Sequence, residues 1–200
     1  MNDKQNIKTS VARMISIIGH PMLTAPLFVL IVLFTGNDLK SASFLTLLII
    51  GGVFIPIVTW MFLKSKNGSY TNFDVSDQKQ RRSLFRFAIP IMVVVTTVLF
   101  ITHQSRNTCL SLLFATILVV VSQVVNYFFI KSSLHVSLTL YLAFLTLAIA
   151  PILGYALMVL SILIGWSRVE LKRHTISEVV VGAVIGVGIG GALFYFLTLQ

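Results

Sequence analysis

Seven apolar runs, roughly residues 14–35, 42–63, 85–103, 107–130, 136–150, 152–166 and 176–198, follow one another along this chain of 200 residues with only short polar stretches between them. Four or five of the runs approach the ~20 residues that a helix needs to cross the hydrocarbon core of a bilayer. In lipid every backbone N–H and C=O must be satisfied internally, so only helices and closed barrels can span. Period-two alternation is absent from the runs, which favours a helical bundle over a barrel. With 56% hydrophobic and 10% charged residues and a mean hydropathy of +0.95, the chain has more apolar surface than one water-soluble core can hide. The expected fold is all-α: a polytopic transmembrane bundle of about six to seven helices in a single integral membrane domain, residues 1–200, with a polar N-terminal tail at 1–12 and a polar loop at 64–84. Lys4, Lys8 and Arg13 precede the first run as they would in a signal peptide. The run is long and lacks a small-residue cleavage site, and reads as a retained first helix.

The fifth and sixth runs are the joint on which the topology turns. Residues 136–166 as one helix would measure about 46 Å, too long for an ordinary span, and Pro151 with Gly154 just after it offers a place to turn. With seven helices the N-terminus, the 64–84 loop, the 131–135 junction and the 167–174 loop share one membrane face. That face then receives Lys4, Lys8, Arg13, Lys64, Lys66, Lys79, Arg81, Arg82, Arg86, Lys131, Arg168, Lys172 and Arg173, thirteen of the 15 basic residues, leaving Lys40 and Arg106 opposite. The positive-inside rule makes it the cytoplasmic face of the cell membrane. With a single span across 136–166, the last polar cluster moves to the other side and no composite site forms.

Three polar clusters lie on that face. Ser167-Arg168, then His174, then Glu178 places a guanidinium near a histidine and a carboxylate four residues apart, so that a helix beginning here would let the carboxylate hold the imidazole. Lys131-Ser132-Ser133-Leu134-His135 sets a histidine two residues after a serine at the start of the fifth run, a general acid beside a hydroxyl that can bind phosphate. Lys79, Arg81, Arg82 and Arg86 gather four cations where a loop enters the third helix, suited to clamping phosphoryl oxygens and equally to anchoring the helix to anionic headgroups. Inside the spans, His20-Pro21 lies on the side of the polar clusters, where it could line an entry to them, and reads first as a buried histidine bonded to a backbone carbonyl. Gly182, Gly186 and Gly190 read as close helix packing within the chain, and Gln123 and Asn126 as interhelical hydrogen-bonding groups.

In this order the clusters resemble the type-2 phosphatidic acid phosphatase superfamily, whose motifs are Lys-x6-Arg-Pro, Pro-Ser-Gly-His and Ser-Arg-x5-His-x3-Asp. The third motif matches as Ser167-Arg168-x5-His174-x3-Glu178, with glutamate for aspartate. The second is partial: Ser133 and His135 coincide, while Ser132 stands for proline and Leu134 for glycine. The first is degenerate. Lys79 and Arg86 have the spacing but Phe87 stands where proline should, and Arg81 and Arg82 are equal counterparts. The resemblance implies metal-independent hydrolysis of a phosphomonoester or diphosphate through a phosphohistidine, with no cofactor. His174 would be the nucleophile, Glu178 its orienting carboxylate and His135 the acid for the leaving oxygen. Arg168, Lys79, Arg81, Arg82 and Ser133 would bind the phosphoryl group, and the implied substrate is a lipid phosphate or prenyl diphosphate.

Two other functions fit parts of the chain. Leu134, in place of a glycine that lets backbone approach phosphate, suits a catalytically silent phosphatase-like protein with a transport or assembly role. Asn72, Asp74 and Asp77 look like the first acidic motif of a membrane prenyltransferase. That chemistry needs a second carboxylate cluster for Mg²⁺, and the six acidic residues of the chain do not form one. The net charge of +9 flanks apolar helices, so membrane lipids and not nucleic acid are the expected partners. The single Cys109 sits in an apolar run and allows no intrachain disulfide.

Overall fold

The computed structural model describes residues 3–71, 74, 75 and 77–199. Among them there is no strand, and the helices are α1 (Asp3–Ile18), α2 (Pro21–Gly36), α3 (Leu39–Thr46), a π-helical segment (Leu47–Phe54), α4 (Ile55–Lys66), α5 (Gln78–Ile101), α6 (Arg106–Phe128), α7 (Leu134–Leu147), α8 (Pro151–Glu170) and α9 (Ile176–Thr198). Five of these helical stretches are long and apolar enough to cross a membrane, α3 to α4 running through the π segment as one stretch of 28 residues; counting the bent pair α1–α2 makes six. The fold is thus the all-helical membrane bundle read from the apolar runs. It divides into two compact units, one made of the segment up to Ala25 together with the segment from Ile130 onward, the other of Pro26–Phe129.

The first unit carries the answer to the doubtful joint. Residues 136–166 form two helices, because Ala148–Ala150 turns the chain and Pro151 opens α8 at the one helical position where its missing N–H is harmless. Gly154 lets the two helices close on each other: a Cβ there would meet Leu147 Cγ at 2.6 Å and the Ala143 carbonyl at 2.9 Å. α7, at 14 residues, is only about 21 Å long, short of the ~30 Å core. Ten of its residues are buried, so its apolar character serves protein packing more than lipid contact. It packs against α8 and α9 around Val136, Leu140 and Ile164. Gly182, Gly186 and Gly190 form the α9 side of this contact, since a Cβ on them would meet the Ser133 carbonyl at 2.5 Å, the Ser137 carbonyl at 2.6 Å and Phe144 at 2.9 Å. The glycine repeat is therefore packing within the chain.

The N-terminal reading needs two corrections. The polar tail at 1–12 is helical from Asp3 onward, and the first apolar run, 14–35, is two helices bent by 44°. Pro21 causes the break: it cannot donate to the preceding turn, and it starts α2 with the His20 ring Nδ1 accepting the Met22 N–H at 3.2 Å. The His20 ring thus serves as an acceptor at its Nδ1.

In the second unit, α5 and α6 pair through a buried Thr96–Thr116 hydroxyl contact of 3.1 Å. The basic residues gather at one end of this unit, where the Gln78 amide donates to the Asn126 carbonyl at 2.8 Å and Trp60 stacks on Phe87. The expected loop at 64–84 is shorter than read, with α4 reaching Lys66 and α5 starting at Gln78. Asn126 makes its interhelical bond through its backbone carbonyl, one of the acceptors that the last turn of any helix leaves over; its side-chain amide has no hydrogen-bond partner among the described residues.

Candidate active site

The five-residue spacer between Arg168 and His174 has a structural cause. α8 ends in a Schellman turn: the Arg173 N–H donates to the Arg168 carbonyl at 3.0 Å and the Lys172 N–H to the Val169 carbonyl at 3.0 Å. Lys172 takes the left-handed position of that turn, φ +54°, where glycine is the usual occupant. The His174 N–H also donates to the Arg168 carbonyl, at 3.2 Å, so the main chain of the histidine hangs from the residue that carries the guanidinium. Thr175 then caps α9. The turn links α8 to α9 through five residues, Leu171–Thr175, with Arg168 fully buried and His174 7% exposed.

His174 and Glu178 meet, but not as neighbours on one helix face. The helix begins at Ile176, which leaves His174 outside it, and the carboxylate reaches back through a capping box. Thr175 Oγ1 accepts the Glu178 N–H at 3.3 Å, and Glu178 Oε2 accepts the Thr175 N–H at 3.1 Å. The same Oε2 lies 2.8 Å from His174 Nδ1 and 3.5 Å from Lys131 Nζ. Glutamate at this position is thus a structural choice, since a capping box needs the longer side chain. A carboxylate on Nδ1 holds the ring proton there and puts the lone pair on Nε2.

The second cluster is stitched to the third by main-chain bonds. Ser133 stands at the N-cap position of α7, and its N–H donates to the Glu178 carbonyl at 3.0 Å, an approach that Gly182 on the next turn of α9 makes possible. Lys131 Nζ donates to the Arg173 carbonyl at 3.1 Å. Ser133 is fully buried, and its Oγ has no partner among the described residues. A buried hydroxyl at a helix N-terminus is where an anion would be held. His135, on the first turn of α7 and 6% exposed, sets its ring at 86° to that of His20 with centroids 5.0 Å apart. His174, Glu178, Arg168, Ser133 and His135 thus occupy one end of the first unit, where α8 stops and α7 and α9 start.

The first cluster belongs to the second unit. Lys79, Arg81 and Arg82 lie on the opening turns of α5, which Asp77 caps by accepting the Gln80 N–H at 2.9 Å. Arg81 is 5% exposed and lies over the Phe85 ring. Arg82 lies over Tyr127 at 4.5 Å and donates to its carbonyl at 3.4 Å, while Lys79 and Arg86 are exposed. The two equal counterparts are therefore unlike: Arg81 is buried at the helix start and Arg82 is tied to α6. Of the residues in the transferase-like reading, Asn72 lies outside the described residues and Asp77 serves as a helix cap.

Sequence reasoning missed Ser16, whose hydroxyl meets the Arg168 guanidinium at 3.1 Å, and gave Lys131 and Gly182 no part in the site. Gly182 was open to discovery, because it follows Glu178 by four and shares its face of α9. Nothing in the sequence ties Ser16 to a residue 152 positions away. No curated protein and no solved structure matches the chain. Residues 126–200 match the family model of the PAP2 superfamily, a match that holds the second and third clusters and begins after the first. Over this segment, with the His174–Glu178 pair and Arg168 set beside the Ser133–His135 turn, the chain is similar to the PAP2 superfamily, the type-2 phosphatidic acid phosphatases and their relatives.

Proposed function

We infer that this phosphatase-like membrane protein hydrolyses a lipid-linked phosphate or diphosphate through a phosphohistidine on His174. The contact of 2.8 Å between His174 Nδ1 and Glu178 carries the reading, because it presents Nε2 as nucleophile and supplies a negative charge to the imidazolium that forms. In the first step Nε2 bonds to phosphorus while the P–O bond to the lipid breaks. His135 delivers a proton to the departing oxygen. In the second, water attacks the phosphohistidine, His135 takes the proton from that water, and orthophosphate leaves as the N–P bond breaks. Arg168 and the Ser133 hydroxyl would hold equatorial oxygens. Guanidinium groups and amide donors can stabilise the spread charge of phosphoryl transfer without a metal ion.

The experiment is release of phosphate from a panel of lipid phosphates and diphosphates by the purified protein in detergent with EDTA present. Activity that persists in EDTA and disappears in His174→Ala supports the reading. Activity that requires Mg²⁺ supports the transferase. One observation favours a second reading, a catalytically silent protein with a transport or assembly role: Leu134 occupies the first position of α7, where the family has glycine. No turnover of any substrate in the panel would favour it. The tail of the lipid would lie in the bilayer and the phosphate at the basic, cytoplasmic face.

A further inference from the structure

The side chains that steady the two clusters come from a part of the chain outside the family match. α1 and the break before α2 belong to the same compact unit as α7, α8 and α9. The seam is close: Gly19 sits where a Cβ would meet Ile164 Cδ1 at 2.4 Å, and Lys8 Nζ is 2.7 Å from Glu170 Oε2 at the end of α8. From this seam two polar side chains, four residues apart, reach the two clusters separately. The buried hydroxyl of Ser16 accepts a hydrogen bond from Arg168 Nη1 at 3.1 Å, and the His20 ring meets the His135 ring edge to face. His20 is itself held, by the Met22 N–H on its Nδ1 and by its carbonyl, which accepts the N–H groups of Leu23 and Thr24.

We propose that Ser16 and His20 are positioning residues, Ser16 for the Arg168 guanidinium and His20 for the His135 imidazole, so that the α1–α2 break is a working part of the phosphoryl site. A guanidinium is planar, and its donors meet two oxygens of a tetrahedral group only when the plane is rolled correctly about the side chain. An acceptor on one Nη sets that roll. An imidazole acting as an acid must aim one nitrogen at the leaving oxygen, and a ring against its face or edge restricts the swing of the second side-chain torsion. The 44° bend at Gly19-His20 provides both contacts from one short segment. This proposal rests on the phosphatase reading of Arg168 and His135.

The test compares Ser16→Ala, Ser16→Thr, His20→Ala and His20→Phe with the wild type and His174→Ala. It measures kcat and KM for a lipid phosphate in detergent with EDTA, the inhibition constant of inorganic phosphate, and thermal unfolding. Ser16→Ala is expected to raise KM and the phosphate inhibition constant about tenfold, and Ser16→Thr, which keeps the hydroxyl, to restore both. His20→Ala is expected to lower kcat about tenfold with KM unchanged, and His20→Phe, which keeps a ring, to recover most of it. Wild-type constants in both alanine variants would overturn the proposal, as would losses that track the fraction unfolded and that threonine and phenylalanine do not rescue. Should the wild type turn over no substrate, the phosphatase reading fails separately. ³¹P NMR titration with inorganic phosphate then decides for Ser16: weaker binding in Ser16→Ala than in Ser16→Thr supports positioning of Arg168, and equal binding overturns it.

Discussion

Gly182→Ala tests whether close packing of α7 on α9 sets the geometry of the site. The new Cβ would lie 2.5 Å from the Ser133 carbonyl oxygen and 3.0 Å from its nitrogen, both main-chain atoms that no side-chain rotation can move aside. The start of α7 has to withdraw from α9 by roughly half an ångström or more before the contact is tolerable. The Ser133 N–H to Glu178 carbonyl bond, 3.0 Å in the native structure, then reaches the limit of hydrogen bonding. Overpacking of this kind destabilises by about 1–3 kcal/mol. Misplacement of a reacting group by about an ångström costs about 10²-fold in rate, so a shift about half as large predicts a loss of about tenfold in kcat. Two further variants separate the causes. Gly186→Ala makes a clash of similar depth at the Ser137 carbonyl, one turn from the site, and should lose similar stability with a smaller loss of kcat. Gly188→Ala meets nothing within 4 Å and should keep full activity, with a gain of up to about 1 kcal/mol from helix propensity. Phosphate release and thermal unfolding in detergent measure all three. Wild-type kcat in Gly182→Ala, or an equal loss in Gly188→Ala, would refute the reasoning.

Glu178→Gln keeps the reach of the capping box but removes the charge beside His174; it should retain stability within about 1 kcal/mol while kcat falls by about 10²-fold or more, and an equal fall in stability would show that the carboxylate is structural only. Thr175→Ala removes the cap itself and should lower the unfolding free energy by about 0.5–2 kcal/mol, with a lower kcat if Glu178 is aimed by the box. Lys172→Gly places glycine in the left-handed position of the Schellman turn and should stabilise by about 0.5–1 kcal/mol at unchanged activity; destabilisation would contradict the turn. Lys172→Cys on a Cys109→Ser background should react with a membrane-impermeant maleimide from the cytoplasmic side only, and labelling from outside would reverse the orientation proposed from the basic residues.

Much of the fold was legible because lipid imposes a strong one-dimensional signal. Every apolar run became helix, and Pro151 with Gly154 marked the turn that separates α7 from α8. The first run misled: it is continuous in hydropathy, while Pro21 breaks it by backbone chemistry that hydropathy does not register. The Ser167-to-Glu178 motif was legible in letters but not in mechanism. Its i, i+4 spacing suggests a shared helix face, whereas the pair meets through a cap, with the histidine outside the helix. The basic run at 79–86 stayed ambiguous because burial decides between like residues, and burial is a property of packing.

The sequence by itself determined that the chain lives in lipid as helices, that Pro151 separates two of them, and which residue types could carry phosphoryl chemistry, since each of these depends on neighbours a few positions apart. Only the tertiary structure decided that the Glu178 carboxylate serves a cap, a histidine and Lys131 at once, that Gly182 admits the Ser133 main chain, and that Ser16 and His20 stand behind Arg168 and His135. Those contacts join residues far apart along the chain, and their partners are selected by how helix surfaces fit together in three dimensions, which no local pattern of residues records.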